Sequence, residues 1–152
     1  MSEKEQRDVL VYEALSWERT PFQHGQCVKG VAADCSTFLA TCYRAVGIFR
    51  ADIEQLPSDW FLHTSKESYL NELQKHATEF DSGVRTPQPG DIMIVKDTAI
   101  GARVFSHGCI VVEWPIVIHC FPPCVMRSNA LAYPAFQNRK LKFFNPWVKP
   151  NA

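Results

Sequence analysis

The stretch that decides the fold runs from residue 34 to residue 47 and reads DCSTFLATCYRAVG. Its apolar residues recur at intervals of three and four, which is the spacing of one buried face of an α-helix. Gly47 stands where a glycine commonly ends a helix. We therefore predict a buried helix over residues 35–46, with Cys35 in its first turn. The positive end of the helix dipole and the unpaired backbone N–H groups of that turn favour a thiolate over a thiol, as a nucleophile requires.

The segments on either side of this helix indicate an α+β fold. Residues 3–17 place apolar side chains among Glu and Arg and predict an amphipathic opening helix, and residues 67–80 predict a further helix. Later segments read as strands, and we predict four of them, at residues 92–95, 107–112, 116–119 and 141–144. The second and third form a hairpin around residues 113–115. We expect N-terminal helices packed on a central antiparallel β-sheet.

Length and composition predict one globular domain. A chain of 152 residues can build a single core, and 46% hydrophobic with 21% charged residues is typical of a globular protein. We expect one domain over residues 1–152, with an insertion at about residues 50–86 that covers or flanks the site. Because sixteen basic residues balance sixteen acidic ones, charge gives no reason to expect a nucleic-acid partner.

The sequence carries no apolar run of about 18 residues, so we expect no membrane insertion. Residues 1–9 are charged and lack the apolar centre of a signal peptide, so we expect cytoplasmic synthesis without such a signal. In that reducing compartment, the six cysteines are expected to be free thiols.

Three residues are candidates for the catalytic site of a cysteine hydrolase, which needs a thiolate, an imidazole base and a group that orients the base. Cys35 is the candidate nucleophile. His107 and His119 are 119 − 107 = 12 residues apart, enough for a strand, a turn and the return strand. The two imidazoles can therefore lie side by side on one face of the sheet. If the helix packs on that same face, Cys35 meets both histidines.

These residues resemble the NlpC-type cysteine peptidases, a papain-like family that cleaves murein peptides. The resemblance rests on Asp34-Cys35-Ser36 entering a helix, on Pro89-Gly90-Asp91 opening a strand, and on the histidine motifs Ser106-His107-Gly108 and Ile118-His119. It implies that Cys35 attacks the carbonyl carbon, that His107 is the base and that His119 orients this base.

The resemblance is sharpest to the branch encoded by phages and prophages. It implies hydrolysis of the amide between D-glutamate and diaminopimelate, or of a nearby bond, in a murein peptide. It also implies phage tail proteins as partners, and an enzyme that acts from a virion tail or after release to the cell wall.

Five further residues are expected to bind substrate or to support the site. Asp34 is expected to cap the helix, and Ser36 to hydrogen-bond the loop. Phe22 stands where the resemblance implies a tyrosine, so either His24 supplies the missing polar group or the activity is weaker. Ser106 belongs to the histidine motif.

Other interpretations stay open. A zinc site could use His119, Cys120 and Cys124, with Cys27 or Cys109 as a further ligand. The spacing lacks paired Cys-x-x-Cys motifs, so we expect neither a metal nor a cofactor. A related papain-like amidase or acyltransferase would keep the same fold and triad. A phage tail or binding module without catalytic activity would keep the substrate pocket but would not cleave the substrate.

Overall fold

A computed structural model describes residues 1–48, 67–96 and 103–150. Within these ranges the helices are α1 (Glu3–Leu15), α2 (Cys35–Ala45) and α3 (Ser68–Gln74). The strands are β1 (Cys27–Val28), β2 (Ala32–Ala33), β3 (Thr78–Phe80), β4 (Ile92–Lys96), β5 (Phe105–Glu113), β6 (Ile116–Phe121), β7 (Cys124–Asn129) and β8 (Leu141–Asn145).

The six longer strands form one antiparallel sheet in the order β3-β8-β4-β5-β6-β7, while β1 and β2 form a separate two-stranded ribbon. The helices pack on this sheet, which confirms the predicted α+β class. None of the helices in the described ranges has the length and apolar character that crossing a bilayer requires.

Asp34 fixes the residue at which α2 begins. Its Oδ1 accepts hydrogen bonds from the backbone N–H groups of Ser36, at 3.0 Å, and Thr37, at 2.9 Å. Such groups have no partner within the helix, so the carboxylate both satisfies them and sets the helix start. The predicted cap and the predicted helix are confirmed, and Gly47 follows the helix with φ = 70°. Cys35 is therefore held in the first turn.

The main core lies between the helices and one face of the sheet. From α2, Phe38, Leu39 and Cys42 are buried against strand residues of that face, among them Ile110 and Ile118. The opposite face carries a second apolar cluster, which includes Met93, Val95, Cys109, Val111, Val117, Phe136 and Phe143. Because successive side chains of a strand point to opposite faces, His107 lies on the side of Cys109, away from α2.

Two of the structural predictions need correction. The opening helix is confirmed but ends at Leu15, whereas the helix predicted over residues 67–80 is wrong in its second half. There α3 ends at Gln74, and Thr78–Phe80 pairs with β8 as an edge strand, because unpaired strand groups of β8 are available to it. Strand β7 was not predicted. Residues 50–66 of the predicted insertion lie outside the described ranges.

Candidate active site

Cys35 lies where α2 begins and approaches the first residues of β5. Its Sγ is 3.9 Å from the carbonyl oxygen of Ser106. The backbone N–H groups of Ser36, of Cys35 itself and of Gly108 lower the pKa of the thiol. The thiol is therefore held against the strand segment that carries His107.

The Cys35 thiol is not activated by its position alone. Its pKa is raised from 9.0 to about 12, first by burial and second by the negative charge of Asp34, and the backbone donors offset only part of this. Part of the residue reaches solvent, but packed atoms enclose its sulfur. The expectation that the helix start favours a thiolate is therefore wrong for this resting state, because removing the sulfur from water outweighs the helix dipole.

His107 and His119 form a hydrogen-bonded pair, as the spacing of the two strands predicts. His107 Nε2 lies 2.8 Å from His119 Nδ1, and His119 Nε2 lies 2.9 Å from the hydroxyl oxygen of Ser128. Ser128 comes from β7 and is buried. The two imidazoles and this hydroxyl form a chain that runs across β5, β6 and β7.

This chain fixes which nitrogen of His107 can act as a base. Among the described residues, Nδ1 of His107 has no hydrogen-bond partner, whereas Nε2 is occupied by His119. For Nδ1 to accept a proton, His107 must donate from Nε2, and His119 must accept at Nδ1 and donate from Nε2 to Ser128. The observed partners permit this arrangement without an unpaired donor in the chain.

Both histidines are neutral at pH 7. Burial lowers the pKa of His107 from 6.5 to about 4, and burial followed by the nearby His107 lowers the pKa of His119 to about 2. Aromatic rings enclose the pair: the His107 ring lies 5.2 Å from that of Phe121, and the His119 ring lies 5.4 Å from Tyr133 and 5.2 Å from Phe136. With the thiol also neutral, the resting site holds no thiolate–imidazolium pair.

The helix does not pack on the face that carries the histidines, which corrects one expectation. The core of α2 lies on the opposite face, and among the described residues the sulfur of Cys35 has no hydrogen bond to His107 or His119. The thiol instead meets the backbone of β5 at its first residues, where the pairing with β4 shifts register between Val95 and Lys96. Cys35 thus adjoins the histidine pair through the strand backbone.

A second cysteine, Cys109, lies close to both imidazoles. One ligand atom from each of His107, Cys109 and His119 lies within 4.8 Å of the other two, and all three residues are buried. Two nitrogens bound tetrahedrally to zinc at about 2.05 Å would be about 3.3 Å apart. The 2.8 Å separation of the paired histidine nitrogens fits a shared proton better. These residues could hold a metal only if that hydrogen bond opened.

The predicted supporting residues gather around Asp34. Its Oδ2 accepts from the backbone N–H of Gly25 at 2.7 Å and lies 3.5 Å from Nδ1 of His24, which is exposed. Ser36 donates its hydroxyl to Asp34 at 3.0 Å, rather than to the preceding loop as expected. Phe22 packs against the main core. Asp34 therefore organises the loop before Cys35.

Tyr69 and Ser128 are site residues that the sequence did not indicate. The Tyr69 side chain reaches from α3 to Gly108, and within the described part of the chain its buried hydroxyl has no hydrogen-bond partner. Tyr69 lies inside the predicted insertion, and Ser128 lies on a strand that was not predicted. Neither carried a local signal, because each reaches the site only through packing between distant segments.

Solved NlpC/p60 structures share this fold. NlpC1 from Trichomonas vaginalis matches with a TM-score of 0.68 at 14% sequence identity, over 97% of this chain and 45% of that one. The NlpC/p60 domain of the peptidoglycan hydrolase SagA matches with a TM-score of 0.59 at 17% identity, over 90% and 96% of the two chains. RipD from Mycobacterium tuberculosis is a non-catalytic NlpC/p60 protein adapted to peptidoglycan binding. It matches with a TM-score of 0.57 at 14% sequence identity, over 92% of this chain and 96% of that one.

The chain therefore has the NlpC/p60-type fold, which confirms the fold that the sequence motifs imply. It spans less than half the length of NlpC1. No family model matches the sequence, and no curated protein matches it significantly.

Proposed function

We propose that this protein is a cysteine peptidase that cleaves murein peptides, with Cys35 as nucleophile, His107 as general base and His119 as the residue that orients the base. One observation carries the proposal. The chain from His107 through His119 to Ser128 leaves Nδ1 of His107 as a free base, next to the strand backbone that contacts the Cys35 sulfur.

The neutral resting site implies that proton transfer accompanies attack. Because the resting thiol lies on the α2 side of β5 and His107 lies on the other side, this step requires the start of α2 or of β5 to move. The thiol then gives its proton to Nδ1, and its sulfur forms a bond to the substrate carbonyl carbon. The backbone N–H of Cys35 can stabilise the resulting oxyanion. Protonated His107 then gives its proton to the leaving amine. Water, with its proton taken by His107, hydrolyses the thioester and restores the thiol.

A murein peptide is the substrate that the available comparisons favour. SagA is a peptidoglycan hydrolase, RipD binds peptidoglycan, and both share this fold. The sequence resemblance implies that the bond cleaved is the amide between D-glutamate and diaminopimelate. Action from a phage tail, with tail proteins as partners, belongs to the same proposal and rests on that resemblance alone.

Purified murein tests this proposal. We expect the protein to release soluble peptides, and mass spectrometry should find a new carboxyl terminus on D-glutamate and a new amino terminus on diaminopimelate. Different new termini would still identify a murein peptidase, but one that cleaves another bond of the peptide. If the protein cleaved an amide outside murein instead, the assignment as a related amidase or acyltransferase would replace the assignment as a murein peptidase.

A second candidate is a murein-binding module without catalysis. It is favoured by the missing hydrogen bond between Cys35 and His107 and by the high pKa of the thiol. In that case the protein would sediment with murein and release no peptide at any enzyme concentration.

A further inference from the structure

The Ser128 hydroxyl ends the hydrogen-bonded chain that starts at His107. His119 Nε2 lies 2.9 Å from the hydroxyl oxygen of Ser128, and His119 Nδ1 lies 2.8 Å from Nε2 of His107. Both ring nitrogens of His119 are thus engaged, and the residue is 0% exposed. Because a neutral imidazole carries one N–H and one bare nitrogen, only two arrangements of the protons satisfy both contacts.

The two arrangements differ in what they leave at Nδ1 of His107. In the first, His107 donates from Nε2 to His119, and His119 donates from Nε2 to Ser128, so Nδ1 of His107 is bare. In the second, Ser128 donates to His119, His119 donates from Nδ1 to His107, and the proton of His107 lies on Nδ1. The second arrangement has no base at the nitrogen that the proposed reaction uses.

Hydrogen bonding favours the first arrangement because Ser128 can accept. In the second, the N–H at Nδ1 of His107 has no acceptor among the described residues, and a buried N–H without an acceptor is costly. In the first, each N–H of the pair has an acceptor. The Ser128 oxygen accepts from His119, and its own hydrogen rotates away from the ring, as a hydroxyl permits.

Removing the Ser128 hydroxyl should reverse this preference. Without it, the first arrangement leaves the N–H of His119 unpaired, and the second leaves the N–H of His107 unpaired. His107 retains 6% exposure, whereas His119 has none. The unpaired N–H is therefore less costly on His107, and the proton moves to the nitrogen that must be bare for catalysis.

We propose that Ser128 is a positioning residue of the active site. By accepting a hydrogen bond from Nε2 of His119, it keeps the proton of each histidine on Nε2 and leaves Nδ1 of His107 able to take the proton of the thiol. Ser128 acts through the two histidines rather than on the substrate. The inference rests on the proposed role of His107 as general base.

Nitrogen NMR of isotope-labelled histidine tests the inference by locating these protons in the free protein at pH 7. In wild type we expect both His107 and His119 to carry the proton on Nε2. In Ser128→Ala both protons should move to Nδ1, whereas Ser128→Thr keeps a hydroxyl and should retain the wild-type pattern. His24, whose ring faces Asp34, is an internal reference whose signals should not change.

Activity gives a second readout. Ser128→Ala should lower kcat for murein peptides about tenfold, the effect of losing one buried hydrogen bond, and should leave KM unchanged because no substrate contact is removed. Ser128→Thr should restore most of kcat. Thr78→Val is the matched control, because it removes a hydroxyl that donates to the Val148 carbonyl from β3, at the opposite edge of the sheet from β7. It should change neither the proton positions nor kcat.

A proton on Nδ1 of His119 in wild type would overturn the inference, and this result does not depend on whether Ser128→Ala folds. Unchanged proton positions in Ser128→Ala would also overturn it, and so would shifted positions with an unchanged kcat.

The proton positions are read without substrate. If they respond to Ser128 as expected while wild type releases nothing from murein, Ser128 still sets the proton positions and the proposed function fails. If murein is cleaved and Ser128→Ala keeps the wild-type proton positions and kcat, the proposed function stands and the inference fails.

Discussion

His107→Gln should lower kcat/KM for murein peptides by about a thousandfold, since glutamine fills a similar volume but cannot accept and return a proton. The loss should appear in kcat, because His107 acts on the thiol and the leaving amine rather than on substrate binding. Peptide release from soluble murein fragments, followed by chromatography, measures it. Retention of most of the activity would remove His107 from the mechanism.

His119→Asn is the matched comparison. The asparagine amide oxygen can still accept the hydrogen bond from Nε2 of His107, so the loss of kcat/KM should be smaller than for His107→Gln.

The same variants test whether the thiol and the histidines are neutral in the resting site. Alkylation of Cys35 at pH 6 should be slow in wild type and in His107→Gln alike. Fast alkylation in wild type that disappears in His107→Gln would reveal a resting thiolate–imidazolium pair and contradict the account.

Acid should unfold the protein because both histidines are buried in the neutral form. Their folded-state pKa values, about 4 and about 2, lie below the ordinary 6.5, so the unfolded chain binds these protons at a higher pH than the folded chain. The stabilisation is complete above pH 6.5. It is lost through both histidines as the pH falls to about 4, and through His119 alone between about 4 and about 2.

The expected loss is large for a domain of this size. Below the unfolded-state pKa of 6.5, each group contributes about 1.4 kcal/mol per pH unit, so the free energy of unfolding should fall by about 4 kcal/mol between pH 7.5 and pH 5. Urea denaturation at the two pH values measures this difference. His119→Asn removes one titrating group and should roughly halve the pH dependence. A free energy of unfolding that stays constant over this range would show that the histidines are exposed or already charged.

Local sequence signals were enough to position two parts of the site. The start of α2 follows from Asp34, a capping side chain, and from the helical spacing after Cys35. The histidine pair follows from strand alternation and from a turn short enough to return the chain after 12 residues, so His107 and His119 had to be neighbours. Both features depend on residues close together in sequence.

The rest depends on packing between segments far apart in the chain. The face of the sheet that α2 covers is decided by the whole core, and this is why the thiol meets the backbone of β5 instead of an imidazole. The thiol pKa is decided by how much water the surrounding atoms exclude, and a helix start alone does not reveal it. Tyr69 reaches the site from helix α3 and Ser128 reaches it from strand β7. The sequences of these two elements carry only weak periodicity.

The central claim is that Cys35 is the nucleophile, although the Cys109 sulfur lies within 4.8 Å of both histidines. The most direct measurement is peptide release from purified murein by wild type, Cys35→Ala and Cys109→Ala at equal concentrations of folded protein. The account predicts that Cys35→Ala releases nothing above background, while Cys109→Ala releases the same peptides as wild type. Release by Cys35→Ala, or its loss in Cys109→Ala alone, would contradict it.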